Sequence, residues 1–121
     1  MIDFPRLILK NKIDFAHFQY VVSPIKLCKY INTIHDVLFL DYPLFFDQKY
    51  ILKNKILFQI SAKLSEVVLT VSNYSKERIK MKIDLNKPIF VTPNAVSEIY
   101  FKEYNKKEIR LLVTQKYKVS G

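Results

Sequence analysis

A chain of 121 residues is long enough for one domain with a core, but short for an enzyme built around a crevice between domains. Half of its residues are hydrophobic, yet the longest apolar run, Val37 to Leu40, is interrupted at once by Asp41, so no stretch reads as a membrane span. The net charge of +9 rests on 17 lysines scattered from Lys10 to Lys118 and on only three arginines, which excludes a dense phosphate-reading patch and suits an anionic partner or membrane surface in general terms.

The amino terminus, Met1 to Arg6, has an acid and a proline where a secretory leader would carry basic residues and then a long apolar run. A cytoplasmic location, with contact at the inner face of the membrane, is the expectation. Cys28 is alone, which excludes an internal disulfide framework and a Cys-rich zinc site. The one glycine is Gly121, so no glycine-rich phosphate loop can form, and tight turns fall to Asn, Asp and Pro. Neither a metal nor a cofactor is expected.

Taken in order, Phe4 to Lys12 reads as a helix with Pro5 at its first position. Asp14 to Val22 reads as a strand closed by Ser23-Pro24, and Tyr30 to Ile34, β-branched and aromatic, as a second. The gap between them is too short for a helical crossover, so they are joined by a loop or are not simple parallel neighbours. The second strand stops on His35-Asp36 and enters an apolar loop ending at Pro43. Gln48 to Leu64 predicts a long helix, with Leu52, Ile56 and Ile60 on one row, Tyr50, Leu57 and Leu64 on another, Lys49, Lys53 and Lys63 mostly on the other side, and a wide apolar side packed deeply on a sheet. Glu66 to Ser72 predicts a strand buried on both faces. Ser72 or Asn73 caps a helix to about Lys82, Ile89 to Thr92 is a last short strand, and Asn105 to Tyr117 a basic helix.

This order predicts an α/β fold with a mainly parallel sheet and flanking helices. Polar residues stand at each strand end: Gln19 and Ser23, His35 and Asp36, Ser72 and Asn73, Asn94. In an open parallel sheet ligands bind beyond the carboxyl ends of the strands, so these residues would converge on one edge. Turn formation and capping account equally well for each of them singly.

Four segments in order carry a resemblance: Asp14-Phe15-Ala16-His17-Phe18-Gln19-Tyr20, Thr33-Ile34-His35-Asp36-Val37, Thr70-Val71-Ser72-Asn73-Tyr74-Ser75-Lys76 and Thr92-Pro93-Asn94-Ala95-Val96. Together they resemble the N-terminal domain of family 4 glycosyltransferases, enzymes with two Rossmann-like domains facing across a cleft. The resemblance implies metal-independent transfer of a hexose from a nucleotide-sugar donor, with retention, to a glycan or lipid-linked acceptor. It implies catalytic roles for His35 and Asp36, and substrate contacts from His17, Gln19, Ser72, Asn73, Ser75, Lys76 and Asn94. Residues 1–104 would form part of the acceptor-side, partial Rossmann-like domain. Residues 105–121 would lead towards a donor-binding domain that the chain does not contain. Alanine replaces the family's glycine at Ala95, so a left-handed backbone there would be strained.

Three contrasting readings remain. A His-Asp metal phosphohydrolase needs more ligands than His17 and His35 can supply for two metals. A basic nucleic-acid-binding module would want clustered cations with interleaved aromatics, which the sequence does not show, so no nucleic acid is expected. A non-catalytic remnant of the same family is compatible with the resemblance.

Overall fold

The computed structural model describes residues 3–118. It begins with helix α1, Phe4–Asn11, whose first turn is held by Asp3 accepting from Arg6 N–H at 3.3 Å. Pro5 sits where its missing N–H costs nothing, and Lys12 closes the helix in the left-handed conformation. Four strands follow, β1 (Phe15–Gln19), β2 (Lys29–Thr33), β3 (Val67–Thr70) and β4 (Ile89–Val91), in that order across one sheet, every pair parallel. The fold is mixed α/β, a partial Rossmann-like sheet flanked by helices.

β1 and β2 are direct parallel neighbours although residues 20–28 between them form no helix. The short link is both a loop and a parallel connection, the combination least often seen. Beyond β2 come a short helix α2 (Leu38–Asp41), a single 3-10 turn (Pro43–Phe45) and the long α3 (Gln48–Leu64). Asp47 caps α3 by accepting from Lys49 and Tyr50 N–H at 2.8 and 3.2 Å. Helix α4 (Asn73–Lys82) is capped by Ser72 and crosses to β4. Helix α5 (Lys106–Tyr117) ends the described chain, exposed along its whole length.

All the packed helices lie on one face of the sheet. Ile34, Val68 and Ile89 meet Phe58 and Ala62 of α3 and Ile79 and Ile83 about α4. Tyr30 packs with Ile8 of α1 and Val22, against Ala16, Phe18 and Leu64. By the alternation of a strand, the opposite face carries Phe15, His17 and Gln19 of β1, Ile31 and Thr33 of β2, Val67 and Leu69 of β3, and Phe90 of β4. None of these residues belongs to either core cluster, and Phe90 is 52% exposed. The expectation that β3 is buried on both faces is therefore corrected: Val68 and Thr70 are buried, while Val67 and Leu69 are only half-covered.

The row expected to seat α3 also needs correction. Leu52, Ile56 and Ile60 point to solvent, and the helix meets the sheet through Ile51, Phe58, Ser61 and Ala62. Lys49, Lys53 and Lys63, expected on the other side, share the outward side with that row; apolar residues occur all round α3, so periodicity alone does not single out its inner side. The small Ser61 and Ala62 let its backbone approach the strands closely, and Ser61 Oγ accepts from Val22 N–H at 3.2 Å.

Candidate functional site

Because every strand runs the same way, the ends of β1, β2, β3 and β4 share one edge. The backbone is most constrained there at Tyr20, just past β1. Val21 N–H donates to Gln19 C=O at 2.7 Å across Tyr20, whose φ is +61°. A three-residue turn with positive φ at a bulky residue is the rare, strained form, of the order of 1–3 kcal/mol. Three hydrogen bonds hold it: Tyr20 N–H to Thr33 C=O at 2.9 Å, Asn32 Nδ2 to Tyr20 C=O at 3.2 Å, and Tyr20 Oη–H to Asp36 Oδ2 at 3.2 Å. Together these bonds fix both the backbone and the ring of Tyr20 at this edge.

The Tyr20 ring lies across the end of β2, 5.3 Å from the His35 ring and 5.4 Å from Phe58. Burial and the neighbouring Asp36 carboxylate push its hydroxyl above the ordinary tyrosine value, so it stays a proton donor to Asp36 at neutral pH. The other Asp36 oxygen accepts from Leu38 N–H at 3.0 Å and starts α2. Asp36 is thus held by Tyr20 and Leu38, and it is Tyr20, not His35, that it orients. The His35 carbonyl accepts from Thr70 Oγ1–H at 3.5 Å, which ties it to β3. No hydrogen bond from the described residues reaches its ring nitrogens.

Asp36 opens onto a hollow of about 490 Å³ walled by Tyr20, Phe39, Phe46, Tyr50 and Phe58, with Asn54 on its rim. Phe46 and Tyr50 stack at 5.8 Å, and Phe39 meets both Tyr50 and Phe58 edge-on. An apolar wall with one carboxylate and one carboxamide is a form suited to a small organic ligand. On its other side Asp36 lines a second hollow of about 290 Å³, shared with Tyr42, Tyr74, Ser75 and Arg78. There the Arg78 guanidinium grips Asp41 with Nε at 2.9 and 3.0 Å from the two carboxylate oxygens and Nη2 also bonded to it. That fork clamps α2 to α4 and so fixes the loop carrying His35 and Asp36. A larger hollow, about 640 Å³ between α1 and residues 21–25, is lined by Phe4, Phe18 and Val22 and takes Ser23 away from the edge where it was expected, but holds none of the residues given a catalytic or substrate role.

The nine expected site residues do not all gather. Asp36 and Ser75 share the second hollow. Ser72 is occupied as the cap of α4, its Oγ accepting from Ser75 N–H at 3.1 Å, with Asn73 and Lys76 in the first turn beside it. Asn94 is exposed in the irregular stretch after β4. Ala95 does not have positive φ, so the backbone strain expected there does not arise. His17 and Gln19 lie on the uncovered face, where His17 Nε2 bonds Thr33 Oγ1 at 2.8 Å. Reading by residue type missed Tyr20, Asn54 and the aromatic wall. The cluster Phe39, Phe45, Phe46 and Tyr50 after His35-Asp36 was the available signal, and it reads as core until Asp36 is placed beside it. Among the described residues no group of three or more His, Cys, Asp or Glu could hold a metal. No helix among them is long and apolar enough to cross a membrane. No protein-family model matches the chain, and neither the curated proteins nor the solved structures contain a match.

Proposed function

We propose that this chain acts as the acceptor-side domain of a retaining glycosyltransferase, with the nucleotide-sugar donor held by a second domain. The observation that carries the reading is the placement of His35-Asp36 at the carboxyl edge of a parallel sheet, where Asp36 opens onto an aromatic-walled hollow. In this reading the hollow holds the acceptor, a glycan or lipid-linked sugar. Asp36, already steadied by Tyr20 and Leu38, accepts a hydroxyl of the acceptor. His35, whose ring lies beside Tyr20 and takes no hydrogen bond from the described residues, hydrogen-bonds the transferring sugar and sets it over the acceptor. As the donor bond breaks, positive character builds at the anomeric carbon and negative charge on the departing diphosphate. Orientation and fixed dipoles lower the barrier by being in place beforehand.

The test joins this chain to a donor-binding domain of the family and supplies labelled nucleotide hexoses. Transfer with the anomeric configuration kept, read by NMR of the product, is the expected result. Transfer with inversion, or none with any acceptor while the fused protein is folded and binds its donor, overturns the reading.

A further inference from the structure

The outward side of α3 carries apolar and cationic side chains, and the tip leading into it is apolar and anchored to the core. Leu44 and Phe45 are 96% and 82% exposed, yet the next residue, Phe46, packs into the core and stacks on Tyr50. The tip is thus held out on a rigid base. Along α3, at 100° per residue, Ile51, Phe58 and Ala62 face inward, which fixes Leu52, Ile56 and Ile60 on the opposite side. Lys49, Lys53 and Lys63 fall on that outward side too, all exposed. α3 holds four lysines, counting Lys55, and no acid. Of the outward three, Lys63 makes a loose pair, 3.9 Å, with Asp84.

We infer that this surface docks on an anionic lipid bilayer. Leu44 and Phe45 enter the boundary between headgroups and acyl chains. The lysines lay their stems along the apolar row and carry their ammonium groups to the lipid phosphates. Charge complementarity selects this occupant over a second copy of the chain. A twofold contact of the row on itself would set lysines against lysines, with no acid on α3 and only Asp47 at its cap and Asp84, already paired with Lys63, at the margins. The inference goes beyond glycosyl transfer and stands or falls separately from it.

The experiment is sedimentation of the full chain with vesicles of phosphatidylcholine alone, and of phosphatidylcholine mixed with phosphatidylglycerol. Binding to the mixed vesicles that weakens steeply with salt, and little to the neutral ones, is expected. The double change Leu44→Ser with Phe45→Ser should weaken partition by on the order of tenfold or more. Lys49→Gln and Lys53→Gln should each weaken it about fivefold. Phe90→Ser, on the uncovered sheet face, should leave it unchanged. All these side chains are exposed, and circular dichroism checks that the variants keep their helices. Equal binding to both vesicles, no binding at low salt, or full binding by the Leu44/Phe45 variant overturns the inference. So does self-association that the same variant abolishes without vesicles.

Discussion

The two faces of the sheet differ by a single residue step along each strand, and they differ in almost everything else. On the covered face Tyr30, Ile34, Val68 and Ile89 meet three helices and carry the core. Tyr20, which follows the inward Phe18 by two residues, leans over that side and meets Asp36 and the aromatic hollow. On the uncovered face Phe15, Ile31, Leu69 and Phe90 stay partly or largely open, and among the described residues His17 is tied only to its neighbour on the next strand. A slip of one position moves a polar residue from the built site to the open sheet. Polarity near a strand end is therefore a weak guide to function until the face is known.

The comparison can be broken by mutation, and the largest effect is expected in the core. Ile79→Ala or Ile34→Ala removes a fully buried side chain under the helices and should cost about 2–5 kcal/mol in urea unfolding. Phe90→Ala, on the open face, should cost within about 1 kcal/mol. Equal losses would mean that both faces are covered in solution. Next comes Tyr20→Phe, which deletes the hydroxyl held by Asp36 and should cost about 1 kcal/mol, with the strained turn loosened in amide exchange at Val21. An unchanged exchange rate would show that the turn does not depend on Asp36.

The smallest effect concerns pH. The Glu66 carboxylate accepts from Lys26 Nζ and, at 2.6 Å, from Tyr30 N–H, and the Lys26 bond leads in holding its pKa below the ordinary 4.5. A lowered folded value means that its contribution is present above the unfolded value and fades as pH falls through the folded one. The chain should therefore lose stability in acid more steeply than Glu66→Gln, by a margin kept small because the pair is solvent-screened. A steeper acid loss in the variant would reverse the assignment.

The fold was legible because its signals were local. Helix α3 has the bounds 48–64 that its pattern predicts, since Asp47 caps it and Ser65-Glu66 returns the chain to extended backbone. The parallel pairing of β2, β3 and β4 follows from strands alternating with helices, whereas β1 joins β2 through a loop that no such alternation announces. What stayed hidden depended on packing. A helix with apolar residues on every side, lysines interleaved among the outer ones, does not announce its inner row, so Leu52, Ile56 and Ile60 were misplaced. The strained turn at Tyr20 has no glycine to mark it, and the bonds that meet it come from Asn32 and Thr33 on the neighbouring strand and from Asp36. The Asp41–Arg78 clamp joins residues 37 positions apart, beyond the reach of any local pattern.

The most direct test sets the two histidines against each other, one at the built edge and one on the open face. With this chain joined to a donor-binding domain, His35→Ala and His17→Ala are compared by kcat and kcat/KM once circular dichroism shows both folded. His35→Ala should lower turnover by roughly 10²-fold or more, about 2.7 kcal/mol of transition-state stabilisation, and His17→Ala by much less. Near-normal turnover for His35→Ala, or a larger loss from His17→Ala, would contradict the placement of the chemistry at the His35-Asp36 edge.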